Sequence, residues 1–348
     1  MGVLDVEAAD GAPSEEPRLR GAGSLIQGAA RVLGWGLLAG PLASLAAVAA
    51  GGQGHLLLVL LAALAAWALP VTGVALALLA AARLWRSAAA ALAVLLVILV
   101  WLRPFPHGGG DPTGTTVPLT VMTQNVLLGE ADPDALVRRV RAVQPDVLVL
   151  TELTPQAVAR FDAAGLGAVL PHRNLAAASG ATGTGLYAAS PLTETRPIVG
   201  TYFNAVEASL ELAGHRVTVA AVHPVTPLNR NWAADEVLLT GLLGPRVRAG
   251  EPLVVAGDFN ATQYNRPFAR LLDAGFTDAG QARLWAWQQP SWPVDGAGDW
   301  PLGRVVPPLI RIDHVLVPHG AGVESVSSAR LDGSDHAGVV ARVRLPVG

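Results

Sequence analysis

The sequence predicts an α/β protein in which two β-sheets pack face to face with helices outside, preceded by a membrane-embedded helical segment. Three observations predict it. Between Leu25 and Leu102 the only ionisable side chains are Arg31, His55, Arg83 and Arg86, in a background of Ala, Leu, Val and Gly, a composition suited to lipid. From Leu119 onward, short apolar runs alternate with helical patterns, the rhythm of strand and helix units. Among them lies a hairpin signal, 206–212 and 216–223 around Ala213-Gly214-His215. Hairpins mixed with strand–helix alternation favour two packed sheets over one doubly wound parallel sheet.

In chain order, residues 1–23 carry Asp5, Glu7, Asp10, Glu15 and Glu16 with little apolar content and read as a disordered cytoplasmic tail. A long acidic tail followed by several apolar runs does not fit a cleaved signal peptide. The membrane domain, 24–103, divides into three spans near 32–50, 56–81 and 84–102, the second carrying Pro70 and Gly73 as an expected kink. Arg18, Arg20 and Arg31 flank the first span and Arg83 and Arg86 fill the second connection. The positive-inside bias therefore puts the N-terminus in the cytoplasm and, with an odd number of spans, everything after Arg103 outside. A two-span alternative, with the third segment lying on the membrane surface, would keep the domain cytoplasmic. Residues 104–118, rich in Gly, Pro and Thr, read as a flexible linker holding the next domain off the bilayer.

In the domain 119–348, strands are expected over 119–125, 147–152, 185–189, 206–212, 216–223, 253–260, 312–317 and 339–345. Helices are expected over 133–143, 155–163, 232–243 and 267–274. The chain has no cysteine, which excludes disulfides and thiolate metal sites. All 24 basic residues are Arg, and beyond Arg103 there are 18 Arg against 22 Asp and Glu, a formal charge of −4. A mildly acidic domain is a poor general platform for a nucleic-acid backbone, so such a partner is disfavoured though still possible through a local basic patch.

The chemistry gathers at strand ends. The run Val254-Val255-Ala256-Gly257-Asp258-Phe259-Asn260 stops on a carboxylate and a carboxamide that share one face of a strand. Other runs end on Asn125, Glu152 and His223, one begins at Asp313, and Asp335-His336 precedes the last. Each alone is an ordinary turn or capping residue; together they form a set suited to metal and phosphate chemistry.

The segments Thr-Gln-Asn (123–125), Leu-Thr-Glu-Leu (150–153), Val-His-Pro (222–224), Gly-Asp-Phe-Asn (257–260), Ile-Asp-His (312–314) and Ser-Asp-His (334–336) resemble, in order, those of the endonuclease/exonuclease/phosphatase (DNase I-like) superfamily. The resemblance covers about 116–345. It implies a four-layer α/β sandwich and divalent-metal hydrolysis of a phosphoester. One departure is Ala337-Gly338, where the family usually has a bulkier residue and Pro. The layout also resembles the actinobacterial membrane phosphatases associated with teicoplanin resistance, which implies a lipid carrier as substrate.

A phosphate ester needs its oxygens neutralised, a water held in line and a leaving oxygen stabilised. Hard Mg²⁺ (or Mn²⁺) takes oxygen ligands, and Glu152 is the first choice, with Asn125 supporting it and Asp335 sharing it. Asp258 would orient or deprotonate the water, and Asn260 would donate its amide to phosphate. His336, oriented by Asp313, would contact a phosphoryl oxygen or move a proton, and His223 would be a second donor. Family members differ over which group is the base.

His172, His215 and His319 have no such setting and read as surface residues. Arg138, Arg139 and Arg141 read as a charged helix face, and Gly180 to Gly185 as a turn before a strand, since no Lys follows. Trp285, Trp287, Trp292 and Trp300 either pack a long loop or form an apolar lip facing the membrane.

The leading expectation is a multi-pass, membrane-anchored phosphoesterase acting outside the membrane on a phosphorylated, preferentially lipid-linked substrate. The alternatives are an extracytoplasmic nuclease and a catalytically silent domain that binds a phospholipid or a partner.

Overall fold

The computed structural model describes residues 16–294 and 307–347. Among them, twelve strands form two six-stranded sheets. In the first, β1 (Thr116–Asn125) and β2 (Val147–Thr151) make a parallel pair at the centre. To one side lie β12 (Ala337–Pro346) and β11 (Gly322–Arg330), to the other β4 (Thr184–Ala188) and β3 (His172–Ala176). In the second, β7 (His215–Val222) and β8 (Leu253–Asp258) are the central parallel pair. They are flanked by β6 (Ala205–Leu212) and β5 (Leu192–Ile198), and by β10 (Asp313–Pro318) and β9 (Phe276–Asp278). A helix joins each parallel pair, Pro133–Val143 in the first sheet and Trp232–Arg248 in the second, so the two sheets repeat one plan.

The layers follow from which faces are apolar. Val121, Val149, Val219, Val254 and Ala256 fill the space between the sheets. Leu253 and Val255 pack under the helices Trp232–Arg248 and Arg266–Asp273, whose Phe268 joins the same cluster, and Met122 and Leu148 under Pro133–Val143 and Pro155–Ala163, whose Phe161 joins theirs. Strands covered on both faces read as unbroken apolar runs, as β8 does. The two helices beside the first sheet start where the sequence expects. Asp132 accepts from Ala135 N–H and Thr154 from Ala157 N–H, each with Pro at the start of the helix.

Four strands have no counterpart among the sequence expectations: β3, β5, β9 and β11. They are the four sheet edges. An edge strand lacks one ladder, and β5 and β11 also leave most of their residues solvated, so neither shows an apolar pattern. The expected hairpin is β6–β7, closed by Ala213 and Gly214 with φ of 51° and 82°. The helix expected over 232–243 runs on to Arg248 through Pro245.

Three helices among the described residues are long and apolar enough to cross a membrane: Leu25–Ala49, Leu56–Ala81 and Trp85–Leu102. The first belongs to a helix that begins at Glu16, inside the stretch assigned to the tail; residues 1–15 lie outside the described residues. The irregularity in the second is a 3₁₀ turn at Leu64–Trp67, ahead of Pro70 rather than at Gly73. Pro70 has no N–H for the carbonyl of Ala66, and the preceding turn tightens instead.

The expected free linker is a correction. Residues 104–118 are strapped to the catalytic domain: Ala286 N–H donates to Pro104 O at 2.8 Å and His107 N–H to Gln281 O at 3.0 Å. β1 already begins at Thr116. The domain does not stand off from the apolar helices. Asn265, fully buried, donates its amide to Gly52 O at 3.0 Å and Val59 O at 3.2 Å. Trp67 Nε1 donates to Leu309 O at 2.8 Å. Leu45, Ala66, Ile98 and Leu102 share a buried cluster with Tyr264 and, at its edge, Trp287.

Candidate active site

Strand register explains why residues so far apart in sequence converge. In the first sheet β1 and β2 run parallel with Asn125 opposite Thr151, so Asn125 and Glu152 leave the sheet at one end. In the second, β7 and β8 run parallel with Val222 opposite Gly257, which puts His223 beside Asp258. β10 is antiparallel to β8 with Asp313 paired to Asp258, and β12, antiparallel to β1, begins at Ala337. Its start therefore delivers Asp335 and His336 to the same end.

Gly257 is required there. A Cβ on it would lie 1.9 Å from Val222 O, so no other residue lets β7 and β8 approach as they turn into the site. Glu152 and Asn260 have φ of 58° and 50°. Asn accepts the left-handed region readily, whereas for Glu152 it is local strain, of a kind common at functional positions.

Asp258 is the hub. Its Oδ2 accepts from Asn125 Nδ2 at 3.0 Å and lies 3.6 Å from His223 Nε2 and 3.7 Å from His336 Nε2. Its Oδ1 accepts from Asn260 N–H at 2.8 Å. Glu152 accepts from Asn125 Nδ2 at 3.1 Å and from Leu128 N–H at 2.7 Å. His336 Nδ1 is 2.8 Å from Asp313 Oδ2, which leaves Nε2 directed at Asp258 and, 3.9 Å away, at Asp335 Oδ1.

Asn125, expected to support Glu152 at the metal, reaches both carboxylates. Its amide oxygen accepts from Leu127 N–H at 2.9 Å while its nitrogen donates to both carboxylates, so it holds Glu152 and Asp258 in place. Asn260 and His223 differ from expectation in aim. Asn260 Nδ2 donates to Pro224 O at 3.0 Å and meets His223 Nε2 at 3.2 Å. His223 Nε2 is then the acceptor, and the ring stacks beside Phe203 behind the cleft rather than lining it.

Burial and charge divide these groups. Burial pushes the Glu152 and Asp258 carboxyls above the usual range, against the hydrogen bonds and imidazoles that favour their charge. Burial also holds His223 below its ordinary value, so it is neutral. His336 goes the other way: burial opposes its charge, but Asp313 and Asp258 push it up to about 10. One imidazole is thus an acceptor and the other an imidazolium donor.

A cleft of about 480 Å³ opens over this floor, lined by Glu152, Asp258, Asn260, Asp335 and His336 and, above them, by apolar residues. Oxygen donors predominate there. Asp335 Oδ1 and Asp313 Oδ1 are buried with no hydrogen-bond partner among the described residues, a donor set that fits a hard divalent cation. Asp258, Asp313 and His336 offer atoms within 4.8 Å of one another. Since His336 Nδ1 is taken by Asp313, Glu152 and Asp335 on the cleft wall suit a cation better.

Sequence inspection missed several residues that brace the site. Buried Gln124 donates to Asn125 O at 2.7 Å and His336 O at 3.1 Å, and Ser334 Oγ to Asn125 O at 2.7 Å. Gly338, part of the departure from the family pattern, is small because a Cβ would lie 2.2 Å from Gln124 Oε1. Trp292 Nε1 donates to Asp335 Oδ2 at 3.3 Å and lines the cleft. Trp285 and Trp287 pair at 5.0 Å, and Trp300 lies outside the described residues. Arg139 donates to Gly338 O at 3.1 Å, and residues 180–182 form a 3₁₀ turn before β4.

A family model described as the Endonuclease/Exonuclease/phosphatase family matches residues 122–336. The chain belongs to this family. As an endonuclease/exonuclease/phosphatase protein it is a hydrolase acting on phosphoester bonds, of a family typically dependent on divalent metal. No curated protein matches the sequence. Among solved structures, D. rerio TDP2 complexed with single strand DNA product is 17% identical with a TM-score of 0.51, covering 65% of this chain and 98% of that one. A functionally unknown conserved protein from Enterococcus faecalis is 15% identical with a TM-score of 0.50, covering 65% and 99%. Sphingomyelinase C from Streptomyces griseocarneus is 17% identical with a TM-score of 0.48, covering 66% and 99%. At these identities the likeness is one of fold alone.

Proposed function

We propose that this endonuclease/exonuclease/phosphatase protein is a membrane-anchored enzyme that hydrolyses a lipid-linked phosphate ester or pyrophosphate outside the membrane. The carrying observation is the joint between site and anchor. The loop that leaves the site at Asp258 and Asn260 reaches, at Asn265, the hydrogen bonds to Val59 of the second apolar helix and to Gly52 in the connection before it. Phosphate chemistry is thereby held where lipid headgroups lie. The outward orientation rests on Arg83 and Arg86 in the connection at the far end of that helix.

The chain's own residues divide the work. Glu152 and Asp335 would hold Mg²⁺ or Mn²⁺, which when bound neutralises phosphate oxygens. Asp258, steadied by Asn125 and the Asn260 N–H, orients an attacking water and takes its proton. His336, held by Asp313, presents Nε2–H to a phosphoryl or leaving oxygen. His223 and Asn260 lock each other and so fix the wall behind Asp258.

The test is hydrolysis by the purified full-length protein in detergent, with Mg²⁺ or EDTA, of polyprenyl pyrophosphate, a phosphoinositide, a glycerophospholipid and plasmid DNA. Asp258→Asn is the blank. Metal-dependent release from a lipid, absent in the blank, is expected; DNA cleavage with lipids untouched would overturn the proposal. A reporter fused after Leu345 that is active only in the cytoplasm would overturn the orientation.

A further inference from the structure

We propose that the second apolar helix is itself a wall of the active site, and that its first turns, with the loop carrying Leu228, form the groove for the substrate's hydrocarbon chain. This rests on the lipid-linked function and adds where the chain lies and what selects it.

The cleft is two-sided. Its floor is the phosphate machinery, while its upper wall is Leu56, Leu60 and Ala63 of that helix, faced by Leu228, Ile310 and Trp292 from the catalytic domain. The helix is fixed against the floor, because Asn265 binds Gly52 in the connection before it and Val59 in its first turn, and Trp67 binds Leu309 about two turns further on. Ala63 keeps the gap open at its narrow end.

The mouth suits lipid and not water. Leu228 is 80% exposed and Leu60 47% exposed, on opposite sides of the opening, with Leu57 exposed beside them. Large apolar side chains bared together mark a surface that meets something apolar. Helix length says what that is. Past the Trp67 contact only Ala68–Ala81 remains, 14 residues, or about 21 Å of helix. A hydrocarbon core of about 30 Å needs more. The shortfall of about 9 Å is about six residues, 62–67, which sets Leu60 and the cleft mouth just beyond Ala62, at the headgroup and acyl boundary. Among the described residues, a dry route for a chain leaving the phosphate runs between Leu60 and Leu228.

The occupant is therefore an alkyl or polyprenyl chain joined directly to the phosphate, and the groove makes chain length a specificity determinant. Apolar burial is worth about a fourfold gain in affinity per methylene. The experiment uses the full-length protein in detergent with three homologous series from methyl to octyl: alkyl phosphates, alkyl pyrophosphates and alkyl 4-nitrophenyl phosphates. Wild type should show kcat/KM rising two- to fourfold per methylene in whichever series it hydrolyses. Leu60→Asn and Ala63→Trp should lower the octyl rate at least tenfold and the methyl rate less than twofold. Leu228→Asn, at an 80% exposed position outside that helix, should do the same and guards against a misfolded helix variant. Octyl and methyl rates falling together, or a wild-type rate indifferent to chain length while lipids are still cleaved, would overturn the groove and leave the lipid function standing. Cleavage of DNA and of none of the three series would overturn both.

Discussion

Replacing Asn265 should loosen the joint between the apolar helices and the candidate active site, and the size of the effect follows from its side chain's four hydrogen bonds. Its amide nitrogen serves Gly52 O and Val59 O, and its oxygen accepts from Thr262 N–H at 2.9 Å and Thr262 Oγ at 3.0 Å. In Asn265→Ala, Val59 O keeps its helical partner, but Gly52 O and Thr262 N–H are stranded. Each of these two stranded buried groups costs about 1–3 kcal/mol, so the loss is roughly 2–6 kcal/mol. Asn265→Asp should be at least as harmful, since it turns an acceptor toward two carbonyls. The assay is thermal unfolding of the detergent-solubilised protein, with limited proteolysis of the Gly51–His55 connection and hydrolysis of octyl and methyl substrates. Expected are a lower Tm, faster cleavage at the connection and a greater loss on the octyl substrate. Wild-type Tm and an unchanged octyl-to-methyl ratio in both variants would refute the reasoning.

Asp258→Asn should lower hydrolysis on the order of 10²–10⁴-fold, as loss of a general base does, with an unchanged circular dichroism spectrum; near-normal turnover would remove Asp258 from proton transfer. Saturating Mg²⁺ or Mn²⁺ should raise wild-type Tm by about 2–4 °C, and Glu152→Gln should abolish that rise, which differential scanning calorimetry reads without any substrate. Glu236 is buried, with neither carboxylate oxygen hydrogen-bonded among the described residues, and burial holds it well above the usual carboxylate range. It is therefore a neutral acid in the fold. Its stabilising contribution is complete below the unfolded pKa of about 4.3 and is lost as pH rises through the folded value. Glu236→Gln should raise Tm at neutral pH and make little difference near pH 4, and an equal effect at both would show that ionisation is not involved.

The doubly covered strands and the capped helices were legible in the sequence because they pair a strong apolar signal with explicit end markers: Asp132-Pro133 and Thr154-Pro155 open helices where expected, and β8 stops on Asp258. The edge strands were not, since in β11 the apolar Val323, Val326 and Ala329 recur every third position and an irregularity between Val323 and Ser325 breaks the two-residue period. Site membership was legible at strand ends, where a polar residue interrupts an apolar run, but aim was not. Nothing in Asn125 says that its oxygen is taken by Leu127, or in Asn260 that it turns toward His223 and Pro224. Least visible was the relation of anchor to site. Leu56 and Leu60 look like any membrane leucines, and Asn265 like any polar loop residue, until Gly52 and Val59 are seen beside it.

The pairing of β1 with β12, from Thr116 opposite Pro346 to Thr123 opposite Val339, carries a consequence for biogenesis. The strand that opens the catalytic domain obtains its outer neighbour only when residues more than two hundred positions later arrive. Such non-local pairing is slow and late in folding, and residues 334–336 are delivered by that same strand. A nascent chain with its first strands already formed has Asp258 but not His336. Hydrolytic competence is therefore switched on when residues 334–346 arrive and β12 pairs with β1, not gradually as the chain emerges.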